Sequence, residues 1–158
     1  MLASVPISAW FFGFAGVAIS MIGSTVGASY GIAKSGIGIA SAGIHRPNNV
    51  VKYLIPVVMA GMIGIYGLII SVFIISNVTR DSYSAHNGFA HLASGLVIGL
   101  SSVPVGWCTG VVGDEGVRGC PRCKEEQKMF VAMVLLQVFA GACGLYALIV
   151  SLLLAVAQ

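Results

Sequence analysis

The stretch from Leu135 to Gln158, LLQVFAGACGLYALIVSLLLAVAQ, contains no Asp, Glu, Lys, Arg or His. From Met129 to Gln158 the only titratable side chains are the thiol of Cys143 and the phenol of Tyr146. A helix crosses a bilayer with roughly 20 apolar residues, so this run is long enough to span one. Three more runs free of those five residue types precede it: Met1 to Ala33, Tyr53 to Thr79 and Leu92 to Gly113. The reading is an all-α membrane protein with four transmembrane helices.

Composition agrees. The chain has 158 residues, 58% hydrophobic and 8% charged, where a soluble domain carries roughly a quarter charged residues. The first run lacks a basic head and exceeds the apolar core of a secretory signal, so it is expected to stay as a mature span. The net charge of +3 includes no basic tract suited to nucleic acid. Lys34, Arg46 and Lys52 lie between the first two spans, Arg118, Arg122, Lys124 and Lys128 between the last two, and only Arg80 in the middle connection. Basic residues favour cytoplasmic loops. Both hairpin tips are therefore expected in the cytosol, with the termini and the loop around Asp81 on the lumenal or outer side.

The chain repeats itself. GIYGLIISVFII (Gly64 to Ile75) superimposes on GLYALIVSLLLA (Gly144 to Ala155) at a shift of 80, with Tyr66 on Tyr146 and Ser71 on Ser151. VGASYG (Val26 to Gly31) pairs with VGWCTG (Val105 to Gly110). The expected organisation is a duplicated helical hairpin: residues 1–79 form the first, 80–91 a lumenal connection, and 92–158 the second.

Gly23, Gly27 and Gly31 recur at fourfold spacing in the first span; Gly95 with Gly99, and Ser102, Gly106 and Gly110, do so in the third. Small residues four apart let helix backbones approach closely in lipid. Either the stripe closes a four-helix monomer, or it packs the first helix of each hairpin on the inner, curved side of an assembly. Pro56 is placed near a helix start, whereas Pro104 lies deeper, with Ser101 and Ser102 as candidate partners for the freed carbonyl. Cys120 and Cys123 in CPRC have redox or metal spacing, but no second ligand pair lies nearby; no metal and no cofactor are expected. Cys108 and Cys143 read as small apolar fillers. His45, His86 and His91 read as surface residues in loops or at a helix edge, and Asp114 and Glu115 as solvated tip charges.

ASYGIAKSGIGIAS (Ala28 to Ser41), RPNNVVKYLIPVVMAGMIGIYGLI (Arg46 to Ile69), VVGDEGVRG (Val111 to Gly119) and MFVAMVLLQVFAGACGLYALIVSLLL (Met129 to Leu154) together resemble the c-type proteolipids of eukaryotic V-type proton ATPases. The resemblance covers essentially the whole chain. It implies double hairpins assembled with other proteolipid subunits into a rotor ring that turns against the stator a-subunit and its membrane arginine. It also implies central-stalk V0 and V1 subunits, ATP hydrolysis in V1 and none by this chain, which has no catalytic residues, and a vacuolar, endosomal or other acidified membrane.

The family's working residue is a glutamate in a pattern like FAEVLGLYGLIV, and here the same register reads FAGACGLYALIV, with Gly141 in its place. A membrane carboxyl switches between a neutral form in lipid and an ionised form opposite a positive charge; glycine does none of this. Gly141 lies over Gly61 in the repeat, so both hairpins are blank at that register. Glu125 and Glu126 precede Gly141 by a run worth roughly 22 Å of helix, too far to substitute. Gln137 stands one turn before Gly141 on the same face and serves at most to anchor a water or a neighbouring helix. Tyr146 suits packing or an interfacial hydrogen bond.

A paralogue that only fills a ring position would leave the stator arginine facing no counter-charge whenever it passes, a cost that argues against a normally turning ring. The open readings within the resemblance are a divergent paralogue, an impaired subunit and an altered codon. Outside it stand a structural or pore-forming ring protein and an unrelated small transporter, for which no intramembrane polar constellation is legible.

Overall fold

The computed structural model describes residues 7–78 and 83–156. Arg80, Asp81 and the terminal residues, whose placement the charge pattern addressed, lie outside them. Four helices follow in chain order: α1 (Ile7–His45), α2 (Ile55–Val78), α3 (Ala85–Gly119) and α4 (Glu126–Val156). All are long and apolar enough to cross a membrane, and no strand occurs among the described residues. In lipid a backbone must satisfy its own polar groups, and a helix does so within one segment.

Helix length separates the elements. The 39 residues of α1 and 35 of α3 rise about 58 and 52 Å at 1.5 Å per residue, well beyond a hydrocarbon core of about 30 Å. Both therefore run into the hairpin tips, while α2, with 24 residues, barely exceeds the core. α1 stops before Pro47, where Arg46 leaves the helical region (φ −143°, ψ 81°), since a following proline disfavours the α conformation. Short 3₁₀ turns at Pro47–Asn49 and Lys52–Leu54 lead into α2. Pro56 is its second residue, in the first turn where a missing N–H costs nothing. Ser84 caps α3 by accepting from the Asn87 N–H at 3.3 Å, a standard way to satisfy a free first-turn donor.

The extent of α3 bears on three readings, and the serines beside Pro104 on a fourth. It starts at Ala85, so residues 85–91 of the expected connection are already helical. His91 consequently faces the interior, fully buried, rather than lying at the surface. Its Nδ1 stands 2.8 Å from the Tyr83 hydroxyl, and it also bonds the Ala155 backbone near the end of α4. Burial pushes the Tyr83 hydroxyl above its ordinary range. At the other end α3 continues through the tip motif, and Asp114 is 3% exposed instead of solvated. Arg118 donates to it at 2.6 Å and Lys34 of α1 pairs with it at 3.3 Å; Glu115 is exposed. Finally, Ser101 and Ser102 donate to the carbonyls of Val97 and Ile98, each at 2.6 Å, not to that of Leu100, which Pro104 deprives of its helical donor. A serine hydroxyl reaches the carbonyl four residues back most readily.

α1 and α3 form the closest pair, with α2 against α1 and α4 against α3. Glycine makes the seam. A Cβ on Gly23 would strike the Gly99 backbone, on Gly27 the Ser102 carbonyl, on Gly95 the Gly16 carbonyl and on Gly106 the Gly27 carbonyl. Gly31 and Gly110 continue the line, a Cβ on Gly110 standing 3.0 Å from the Gly31 Cα. No described glycine has positive φ, so these residues serve close approach and not turns. Two apolar clusters flank the seam. Ile70, Ile74, Val78, Ile98 and Ala147 form one toward the end opposite the tips, and Ala42, Tyr53, Val117, Cys120 and Met133 form the other at the tips. The outer faces of α2 and α4 carry exposed apolar side chains such as Val58, Val72, Phe139 and Leu153, as surfaces solvated by lipid do.

Candidate functional site

α4 sets the middle of the site. Gly141 faces a cavity of about 220 Å³ between α2 and α4, lined by Met59, Met62, Tyr66, Val138, Ala142 and Leu145. A Cβ added at Gly141 meets no described atom within 4 Å. Its repeat equivalent Gly61 is equally open. Among the described residues no carboxylate, imidazole or ammonium lines this space.

Gln137 does not share that opening. Four residues along a helix turn the side chain by roughly 40°, and the offset carries Gln137 into the α3–α4 contact. It is fully buried, and its Nε2 donates to the Thr109 carbonyl of α3 at 3.0 Å. Its Oε1, like the buried Ser35 Oγ, has no hydrogen-bond partner among the described residues. Tyr146 is 63% exposed on the outer face, while its counterpart Tyr66 packs inward over Gly144. The repeated tyrosines therefore have different surroundings.

Sequence reading missed a pair of serine ties. Ser71 of α2 donates to the Val17 carbonyl and the Ser20 hydroxyl of α1 at 3.4 and 3.3 Å. Ser151 of α4 bonds the Ser94 carbonyl at 2.9 Å, and the two hydroxyls stand 2.8 Å apart. The alignment of Ser71 with Ser151 in the repeat was the available signal. Each fastens the second helix of a hairpin to its first.

The cysteines stay apart in role. Cys120 is buried in the tip cluster and Cys123 exposed. Cys108 and Cys143 are exposed, so neither fills the interior as expected: both lie along the α3–α4 groove beside Pro104. Among the described residues no three His, Cys, Asp or Glu gather into a metal-binding group.

At the tips, Glu126 joins the hairpins. Its Oε2 pairs with Arg46 at 2.5 Å, and its Oε1 accepts from Asn49 Nδ2 at 2.7 Å and Tyr53 Oη at 2.8 Å.

The family model for the ATP synthase C-subunit matches this chain twice, over residues 15–74 and 92–154. The first match falls on α1 and α2, the second on α3 and α4. The chain belongs to the ATP synthase C-subunit family. Similar proteins within that family include V-type proteolipids. The V-type proton ATPase 16 kDa proteolipid subunit of Chrysotila carterae is 50% identical, over 94% of this chain and 92% of that protein. The V-type proton ATPase c'-subunit of Neurospora crassa is 47% identical, over 94% and 90%. The V-type proton ATPase 16 kDa proteolipid c-subunit of Nephrops norvegicus is 43% identical, over 94% and 92%. With four helices able to span a bilayer, this family member is an integral membrane protein.

Proposed function

We propose that this proteolipid occupies a place in the rotor ring of a V-type proton ATPase and brings no proton-carrying acid of its own. Its partners are then other proteolipid subunits, a stator subunit with a membrane arginine, the central stalk and the surrounding lipid. The membrane is that of an acidified organelle, with the hairpin tips in the cytosol. ATP hydrolysis belongs to the soluble sector. The glycines at 23, 27, 31, 95, 99, 106 and 110, which close the α1–α3 seam within the chain, give each protomer a thin double-helix wall suited to the inner circumference of a ring.

The observation that carries the reading is the open space at Gly141. At the register where the family resemblance expects a glutamate, the helix is intact and an open space stands beside it, yet the titratable group is missing. A glutamate there would be held in apolar surroundings that raise its pKa and would be poised for a passing positive charge. The Gly141→Glu variant should therefore fold, react with a hydrophobic carbodiimide within α4, and restore ATP-driven acidification in vesicles whose ring contains only this chain. The unaltered chain should remain unlabelled in α4 and fail to pump as a homomeric ring. Labelling of the unaltered chain within α4 would refute the reading.

The blank register also favours a second reading, a ring that serves structure or forms a pore with no rotor role. Purification from mild detergent separates the two. Recovery with the ATP-hydrolysing sector and the stator subunit supports the rotor; recovery only as homomeric rings supports the pore.

A further inference from the structure

A cavity of about 440 Å³ opens between the start of α2 and the start of α4, within the range of small-molecule sites. Its upper wall is polar, formed by Asn49, Lys52 and Gln127; its lower wall is Phe130 and Val131. Glu126 also borders it, but both carboxylate oxygens are engaged by Arg46, Asn49 and Tyr53. Lys52 is exposed, and among the described residues no carboxylate stands within ion-pair distance of it. Arg46 and Lys52 against Glu126 leave one net positive charge at the height where tip and span meet.

We propose that this cavity binds the headgroup of an anionic phospholipid, with Lys52 on the phosphate and the Gln127 amide beside it. A lysine ammonium meets phosphate as a point charge, and basic pockets between membrane helices are suited to anionic headgroups. The apolar wall selects a lipid over free phosphate. From Val131 the exposed side chains of Leu135 and Val138 continue down one face of α4, at the spacing that aligns residues on a helix. Val138 then lines the cavity at Gly141. Val131 and Gly141 lie about 15 Å apart along the axis, the depth of one hydrocarbon leaflet. One lipid thus places its headgroup at Lys52 and its acyl chain against the space that Gly141 leaves.

Native mass spectrometry of the purified protein, with phosphatidylglycerol or phosphatidylcholine of equal chain length, tests this. Phosphatidylglycerol should be retained in preference. Lys52→Gln should lower that preference about fivefold, the effect of one lysine near an anionic surface, whereas Lys52→Arg and Lys124→Gln should preserve it. Inorganic phosphate at the same concentration should leave the lipid bound. Equal retention of both lipids, indifference to Lys52→Gln, or displacement by inorganic phosphate would each overturn the proposal.

Discussion

Glycine has two unlike uses in this chain, and a single methyl group distinguishes them. At Gly106 a Cβ would strike the Gly27 backbone, whereas at Gly141 it meets nothing. Overpacking costs about 1–3 kcal/mol, while glycine to alanine in an unobstructed helix gains about 0.5–1 kcal/mol. Gly106→Ala should therefore lower thermal stability in detergent and Gly141→Ala should raise it slightly, as a paired melting measurement would show. The fourfold spacing made Gly106 legible as a packing residue, but spacing alone left open which helix it meets. Gln137 read as an anchor for either a water or a neighbouring helix; that its amide donates to the Thr109 carbonyl was not legible, because a backbone acceptor leaves no mark in a sequence. His91 was misread for a related reason. Histidine is compatible with surface and interior, and only the early start of α3 turns it toward Tyr83 and Ala155.

At the scale of elements, apolar runs located four spans but understated two of them. α1 and α3 extend past the charge-free runs because Lys34, Asp114 and Arg118 satisfy one another within the helices, so a charged residue did not mark a boundary. The serine ties follow the repeat and hold α2 to α1 and α4 to α3. Interhelical hydrogen bonds in membranes average about 0.6 kcal/mol and reach about 1.7. The reciprocal Ser94–Ser151 pair should lie toward the upper end, since each hydroxyl is buried and both reach across. A double-mutant cycle with Ser94→Ala and Ser151→Ala, read by unfolding in detergent, should give a coupling of about 1–1.7 kcal/mol. Additive losses would mean that the two serines act separately.

For the whole molecule, duplication was plain in the sequence, and the family model finds it again in its two matches. The joint between the copies was less plain: the closest helix pair, α1 with α3, connects one hairpin to the other. Membrane helices form first and associate afterwards, so the hairpins should be separable in sequence but dependent in structure. Residues 1–79 expressed alone should be degraded or aggregate, and co-expression with residues 83–158 should recover a complex in a pull-down. A first hairpin stable by itself would contradict this. The seam also sorts the molecule's freedom to drift. Because backbone faces backbone there, every natural side chain larger than hydrogen is excluded at Gly23, Gly27, Gly95 and Gly106 without a shift in both partners. Gly36, Gly61 and Gly141, with no neighbour in reach of an added methyl, accept replacement freely as far as space is concerned. Among variants that still assemble, codon changes should accumulate at those three positions and be purged at the other four.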